Sequence, residues 1–263
     1  MKAVLSIAGS DSSGGAGIQA DIKTIAAHKL FAETAITAIT AQNTLGVAGV
    51  REVEPAFVAA QIDAVFDDIR PDAVKIGMVS SAAIIEAVAE RLAAYGARNV
   101  VVDPVMVATS GARLIDEDAV AALRARLLPL ADVVTPNIPE AEVLCGFPIA
   151  DEAAMERAAR QLLGMCGGAA LVKGGHGAND ANDVLALPDG TVRWFRAPAI
   201  DTGNTHGTGC TLSSAIACGL AAGKDMAEAV AGAKAYVTGA LAAGLNLGRG
   251  SGPLDHMWAW GGR

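Results

Sequence analysis

The sequence lacks the features expected of a protein that binds nucleic acid, lies in a membrane or is held together by disulfides. Its 263 residues carry a formal net charge of −8, which argues against a surface for nucleic acid or anionic lipid. No apolar run approaches the ~18 residues that a membrane span requires. The four cysteines show no CxxC spacing. We therefore interpret them as reduced thiols and expect a cytoplasmic protein.

Aromatic residues are also scarce, at 4%, whereas 52% of the residues are hydrophobic. Alanine, valine, isoleucine and leucine dominate, and this composition suits buried parallel strands covered by alanine-rich helices. The length fits one large α/β domain, and no internal repeat or low-complexity linker interrupts it. We predict a single domain over residues 1–263.

Two common nucleotide-binding motifs are absent from the first glycine-rich loop, residues 9–17. The loop follows a predicted strand at 3–8 and precedes a predicted helix at 18–28, which is the βα unit of an open parallel sheet. Its spacing matches neither GxGxxG nor GxxxxGK[ST], so we reject both classes of nucleotide site here.

Near the other end, alternating segments at 182–187 and 191–195 flank a Pro-Asp-Gly turn and predict an antiparallel edge hairpin.

The most informative stretch is DTGNTHGTGC, residues 201–210, which runs directly into a predicted helix. The small residues Gly207, Thr208 and Gly209 let the backbone approach a ligand closely. The free N–H groups and the dipole at a helix start favour an anion there. Cys210 lies at the mouth of this site, where we expect its thiolate to be favoured so that it can accept a proton. The alternative is a glycine-rich loop and a buried cysteine before a core helix.

Several polar side chains follow predicted strand ends, where open α/β sheets place their ligands. Asp103 could bind a metal or a phosphate-bearing ligand, or it could be an ordinary turn residue before proline. Lys173 is expected over the same crevice. Gln42 carries an amide that can pair with an aminopyrimidine-like ring, although the residues alone favour a solvated loop glutamine.

Asn137 and Glu140 are spaced one turn apart at a predicted helix start. This pair can form a capping box, or the glutamate can hold a hydrated Mg²⁺. Asp103, Glu140, Lys173 and Cys210 come from four separate segments that each follow a strand or begin a helix. Their convergence on one edge of the sheet predicts a phosphoryl-transfer site, because an anion cradle and a poised base are what a kinase needs to activate an alcohol.

Six segments, read in order, resemble one known family. They are residues 7–24, 75–78, 103–106, 135–141, 172–176 and 204–211. In these segments the chain resembles the ribokinase-like superfamily and, within it, the hydroxymethylpyrimidine/phosphomethylpyrimidine kinases of thiamine biosynthesis. Most ribokinase-like sugar kinases have an aspartate as the base where this chain has Cys210, and cysteine there is the pattern of the pyrimidine kinases and of some related pyridoxal kinases.

The resemblance implies a three-layer α/β sandwich, with a mostly parallel central sheet flanked by helices. The implied reaction is ATP-dependent, Mg²⁺-assisted phosphorylation of 4-amino-5-hydroxymethyl-2-methylpyrimidine and then of its monophosphate, in a homodimer. It places five residues around the pyrimidine: Gly9, Asp21, Gln42, Met78 and Val105. It assigns Gly207, Thr208, Gly209 and Cys210 to the anion hole, Lys173, Asn137, Thr205 and Lys234 to the nucleotide, and Asp103 and Glu140 to Mg²⁺.

Two other functions remain open at this point. A pyridoxal or pyridoxine kinase of the same superfamily would share the fold and the anion hole and would differ in the ring pocket. A non-catalytic nucleotide- or vitamin-binding module would have no need for a base at Cys210. Asp21 also has a simpler interpretation as a first-turn acid that suits the helix dipole. The segments 9–17 and 110–114 are both candidate lids.

Overall fold

The computed structural model describes residues 1–106, 117–175 and 181–260. The predicted lid at 110–114 lies outside the described residues. In these ranges the strands are β1 (Ala3–Asp11), β2 (Phe31–Asn43), β3 (Gly46–Glu52), β4 (Ala73–Ile76), β5 (Val100–Val102), β6 (Val133–Val134), β7 (Ala169–Val172), β8 (Asp183–Ala186) and β9 (Val192–Phe195). The helices are α1 (Gly17–Ala27), α2 (Pro55–Asp68), α3 (Ala82–Tyr95), α4 (Glu117–Ala122), α5 (Ile138–Cys145), α6 (Glu152–Leu163), α7 (Thr208–Ala221) and α8 (Met226–Ala242).

The strands form one sheet in the order β3-β2-β1-β4-β5-β6-β7-β8-β9. β2, β1 and β4 to β7 run parallel, whereas β3 at one edge and the β8–β9 hairpin at the other are antiparallel. The predicted edge hairpin is confirmed. β3 is an addition that the sequence did not indicate, because its residues are glycine-rich and mostly exposed and it pairs only with the second half of β2.

Hydrophobic side chains cover both faces of the sheet, so the fold has three layers. In β5, Val100 and Val102 point into the core beneath α2, α3 and α6, whereas Val101 points into the core beneath α1, α7 and α8. Burial on both faces explains why the central strands are short runs of valine and alanine. The predicted three-layer sandwich is therefore confirmed.

Parallel strands bring their carboxyl ends to one edge of the sheet, and this edge positions the site. Just beyond the ends of β6 and β7, Asn137 and Lys173 form an isolated parallel β-bridge. In this bridge the N–H of Lys173 donates to Pro136 O at 2.8 Å. α7 packs on β4 and β5 and presents its first turn to the same edge. Within the described part of the chain, no helix is long and apolar enough to cross a bilayer.

Candidate active site

The site is built around the first turn of α7, which opens from the predicted glycine turn. Gly207 has φ +88°, and a Cβ placed on it would lie 1.9 Å from Gly15 O, so only glycine fits between the two glycine loops. The N–H of Thr208 donates to Thr205 O at 3.3 Å. The N–H groups of Gly209 and Cys210 donate to no acceptor among the described residues, as expected at a helix start. The geometry of an anion cradle is present.

A lysine–aspartate pair lies directly against this turn. Lys173 Nζ donates to Asp103 Oδ1 at 2.8 Å, with the two side chains 12% and 2% exposed. A Cβ on Gly209 would be 3.3 Å from both Lys173 Nζ and Asp103 Oδ2. Burial opposes the charge of Lys173, but the negative charges of Asp103 and Glu140 hold its pKa above the usual value. The structure therefore brings a permanent ammonium to the cradle.

The capping box predicted for Asn137 and Glu140 is present at the start of α5. Asn137 Oδ1 accepts from the N–H of Glu140 at 2.9 Å, and Glu140 Oε2 accepts from the N–H of Asn137 at 2.8 Å. Burial raises the pKa of Glu140 to about 7, an effect that Lys173 opposes and Asp103 reinforces. The same glutamate is thus both a cap and a neighbour of the Lys173–Asp103 pair.

Metal binding by Asp103 and Glu140 stays a prediction. In the ranges that the structure describes, no group of three or more His, Cys, Asp or Glu side chains could hold a metal ion. Two carboxylates nevertheless fit Mg²⁺, which keeps several waters and is commonly bound by one or two carboxylates together with substrate phosphates.

The expectation that the helix start favours the Cys210 thiolate is wrong for the free protein. The side chain is partly exposed, yet burial raises its pKa to about 11. Lys75 and the N–H of Gly17 lower the pKa, whereas Asp21 raises it. Loss of solvation thus exceeds the opposing effects of Lys75 and Gly17, and Cys210 is a protonated thiol at neutral pH.

Asp21, which the resemblance places around the pyrimidine, is enclosed by polar neighbours in the structure, and its contact with a ring stays a prediction. Its side chain is fully buried, and both oxygens accept from Lys75 Nζ, at 2.9 and 2.8 Å. Hydroxyls of Ser6 and Ser214 donate to it as well, at 2.5 and 2.7 Å. These four hydrogen bonds occupy the acceptor sites of Asp21 and tie it to β1, β4 and α7. Sequence reasoning missed Lys75, although a lysine inside the buried strand β4 was a usable signal.

Sequence reasoning also missed Asp11 and His206, which join the two glycine loops. Asp11 Oδ2 contacts His206 Nε2 at 2.8 Å and accepts from the N–H groups of Gly15 and Ala16. Gln42 lies beside this pair, 3.3 Å from His206 Nε2. It is not a loop residue past its strand, as predicted, but lies within β2 and pairs with Val47.

The remaining predicted ring contacts lie at the same edge of the sheet. Gly9 is buried against Met78, and a Cβ on Gly9 would be 3.2 Å from Met78 Sδ. Val105 is half-buried in the turn after β5, where its N–H donates to Asp103 O at 2.8 Å. A cleft of about 220 Å³ opens between Gln42 and His206. These positions are compatible with a small ring, but contact with one stays a prediction.

Two predicted nucleotide contacts have local partners. Lys234 Nζ is paired with Asp183 at 2.6 Å and also donates to Ala181 O. Asp183 in turn accepts from the N–H of Gly174 at 2.9 Å. Lys234 therefore braces the segment next to Lys173. Thr205 is exposed, and its carbonyl accepts from the Thr208 hydroxyl at 2.7 Å.

Comparisons with known proteins agree with this arrangement. A family model described as phosphomethylpyrimidine kinase matches residues 11–255. The hydroxymethylpyrimidine/phosphomethylpyrimidine kinase of Streptomyces coelicolor is 51% identical over 259 residues, which cover 98% of this chain and 95% of that protein. The thiamine biosynthesis bifunctional protein ThiED of Geobacter sulfurreducens is 54% identical over 97% of this chain, which spans only 52% of that longer protein.

Solved structures match over most of the chain. The crystal structure of phosphomethylpyrimidine kinase from Clostridium difficile has a TM-score of 0.81 and 44% identity, covering 90% of this chain and 98% of that one. An ADP complex of Bacillus subtilis pyridoxal kinase has a TM-score of 0.91 and 35% identity, covering 99% of both chains. The fold is that of the ribokinase-like kinases. With a family model over most of its length and relatives at about half identity, the chain belongs to the phosphomethylpyrimidine kinase family.

Proposed function

We propose that this chain phosphorylates 4-amino-5-hydroxymethyl-2-methylpyrimidine and then its monophosphate, using ATP and Mg²⁺, in thiamine diphosphate biosynthesis. The observation that carries the proposal is the Lys173–Asp103 pair placed against the open first turn of α7. The named activity of the relatives supplies the substrate. We further propose that the enzyme is cytoplasmic and homodimeric.

In this reaction the backbone N–H groups of α7 and the ammonium of Lys173 provide most of the charge stabilisation. The free N–H groups of Gly209 and Cys210 hold the transferred phosphoryl group, and Lys173 offsets the charge that develops on the nucleotide phosphates. Asp103 and Glu140 would hold Mg²⁺ through water and phosphate oxygens, and the ion would neutralise phosphate charge. Gln42, Gly9, Met78 and Val105 would surround the ring.

Cys210 takes the hydroxymethyl proton in this proposal, but late. A thiol whose pKa is raised to about 11 is protonated at neutral pH and therefore cannot act as a base at rest. Phosphoryl transfer passes through a loose transition state, so positioning and charge stabilisation precede removal of the proton. A thiol that still holds its proton cannot accept another, so the Cys210 thiol first releases its proton to water. The thiolate then takes the proton of the alcohol oxygen, which has become acidic through its new bond to phosphorus.

A coupled assay with ATP, Mg²⁺ and the free pyrimidine, with separation of mono- and diphosphate, tests the function directly. For Cys210→Ala we expect kcat to fall by about 10²-fold with little change in the Michaelis constant for the pyrimidine. Cys210→Asp is the matched variant, because it places the base of the sugar kinases at the same position. Unchanged turnover of Cys210→Ala would remove the base role.

Pyridoxal phosphorylation is the second candidate function. It is supported by the structural match to Bacillus subtilis pyridoxal kinase, whose fold overlaps this chain over 99% of its length. Both substrates carry a hydroxymethyl group on a small heteroaromatic ring. We expect kcat/KM for the pyrimidine to exceed that for pyridoxal, and the reverse order would make pyridoxal kinase the better assignment.

A further inference from the structure

His206 lies between two polar side chains from distant parts of the chain. Its Nε2 is 2.8 Å from Asp11 Oδ2 and 3.3 Å from Nε2 of the Gln42 side-chain amide. His206 is 5% exposed and Asp11 is 3% exposed, so water does not compete for this nitrogen. The Gln42 amide also lies 3.1 Å from Thr40 Oγ1 and lines the cleft.

The ionisation of Asp11 decides which atom donates in the first contact. Burial would favour the neutral acid, but hydrogen bonds from His206, from Ser13 and from the N–H of Ala16 hold the pKa of Asp11 well below its usual range. An ionised carboxylate only accepts. The proton of the 2.8 Å contact therefore lies on His206 Nε2, which must be a donor.

The same proton fixes the orientation of the Gln42 amide. Gln42 Nε2 is the amide atom placed next to His206 Nε2, but a half-turn of the amide exchanges it with the oxygen. Because His206 Nε2 carries one proton, directed mainly at Asp11, the second contact can only be a shared bond to an acceptor, and only the amide oxygen of Gln42 can be that acceptor. The amide nitrogen then faces Thr40 Oγ1, whose single proton is used in its bond to Ser10 O at 3.0 Å. Thr40 can accept from that nitrogen while it donates to Ser10 O. In the reverse orientation Thr40 Oγ1 would have to donate to Gln42 Oε1 at 3.1 Å as well as to Ser10 O, and it has one proton for the two acceptors.

We propose that His206, held by Asp11, is a positioning residue that fixes the Gln42 amide in one orientation and thereby sets which ring the kinase accepts. The inference rests on the proposed function, in which Gln42 reads the substrate ring. After the bonds to His206 and Thr40 are made, the amide has one oxygen lone pair and one N–H left. These match the exocyclic amine and the adjacent ring nitrogen of an aminopyrimidine. A reversed amide would present each group to the wrong atom.

Discrimination of this kind is large when a site has buried polar groups. A site built to bond a substrate N–H rejects an analogue that lacks it, because its own polar atoms are left unpaired. Pyridoxal carries no amine beside its ring nitrogen. A fixed Gln42 amide would therefore favour the pyrimidine, whereas a freely rotating amide would reduce the preference.

A double-mutant cycle between His206 and Gln42 tests the proposal. For His206→Met we expect the Michaelis constant for the pyrimidine to rise about tenfold and that for ATP to be unchanged. The ratio of kcat/KM for the pyrimidine to kcat/KM for pyridoxal should fall by a similar factor. In a Gln42→Ala background the same substitution should change the constant by less than twofold.

Matched variants separate positioning from damage to the adjacent anion hole. His206→Gln keeps a donor near the position of Nε2 and should restore part of the lost preference. His28→Met removes a histidine whose Nδ1 contacts Thr24 O, and it should change neither constant. If His206→Met does not fold, Asp11→Asn enters the same cycle, because it weakens the acceptor that holds the imidazole.

The possible outcomes are distinct. A loss that is equally large with and without Gln42 would overturn the inference, since His206 would then act through Gly207. An unchanged preference for the pyrimidine in His206→Met would overturn it as well. A wild-type enzyme that does not phosphorylate the pyrimidine at all would instead remove the proposed function, and this inference with it.

Discussion

Two lysine–aspartate pairs lie under the start of α7, and they differ in what else surrounds them. Asp21 and Lys75 are both fully buried, and the hydroxyls of Ser6 and Ser214 complete the coordination of the carboxylate. Asp103 accepts from Lys173 through one oxygen at 2.8 Å, and the hydroxyls of Thr135 and Ser213 are farther away, at 3.3 and 3.4 Å. The lysine remains 12% exposed at the cradle. One pair is closed on all sides and the other is open on one side.

The difference teaches that the local environment, rather than the ion pair, decides the role. A closed pair satisfies its own charges and has nothing to offer a ligand, so it holds α1, β4 and α7 in register. An open pair can exchange part of its contact for a phosphate oxygen. Glycines mark both places: Gly77 leaves room for Lys75, where a Cβ would be 2.7 Å from Nζ, and Gly209 leaves room beside Lys173.

The largest effect should come from breaking the closed pair. Lys75→Met leaves Asp21 charged and unpaired in the core, which costs about 3–5 kcal/mol of unfolding free energy. Urea denaturation measures this loss. The double variant Asp21→Asn/Lys75→Met removes both charges and should recover most of the stability. If the single and double variants are equally unstable, packing of the lysine stem rather than charge holds this region together.

Breaking the open pair should affect catalysis rather than stability. For Lys173→Met we expect kcat/KM for ATP to fall about 10²-fold, equivalent to roughly 2.7 kcal/mol, because the phosphate charge loses its counterion. The midpoint of urea denaturation should move much less than in Lys75→Met. Lys173→Arg keeps the charge and serves as the control. A stability loss as large as that of Lys75→Met would erase the distinction between the two pairs.

The smallest change in stability is expected at a buried carboxyl group that has no lysine paired with it among the described residues. Glu33 in β2 is 7% exposed, and its Oε2 has no hydrogen-bond partner among the residues that the structure describes. Burial, with the charge of Asp72, raises its pKa from 4.5 to about 7. The folded state binds the proton more tightly, so this group lowers stability as pH rises from 4.5 to 7. Glu33→Met should therefore add about 1 kcal/mol at pH 8, and less at pH 5.

Urea denaturation of Glu33→Met and the parent at both pH values checks the sign. Tyr95→Phe, which removes a hydroxyl bonded to Asp67 at the surface, is a control that should not change the pH dependence. A gain that is the same at pH 5 and pH 8 would mean that improved packing, not the removed charge, is responsible.

Local features made several parts of the site predictable. The turn before α7 requires a positive φ at Gly207, and glycine is the residue type that adopts such a φ most readily. The Asn137–Glu140 capping box has its own four-residue spacing. Convergence of Asp103, Lys173 and Gly209 followed from the rule that parallel strands end at one edge.

Other parts depended on neighbours that are remote in sequence. The burial that raises the pKa of Cys210 comes from several packed elements, so a helix-dipole argument alone gave the wrong sign. The role of Asp21 is decided by Lys75, 54 residues away, and that of Gln42 by His206, 164 residues away. The sequence did not predict β3, because this strand is stabilised by pairing with β2 and not by a buried hydrophobic face of its own.

By itself, then, the sequence determined the layered α/β architecture, the edge hairpin and the anion cradle, because these follow from hydrophobic patterning and from backbone conformations that particular residues require. Only the tertiary structure decided which lysine–aspartate pair is enclosed and which is accessible to a ligand. It also decided whether the Cys210 thiol is ionised. Solvation and hydrogen-bond partners set those properties, and both depend on every element that packs around a group rather than on its neighbours in the chain.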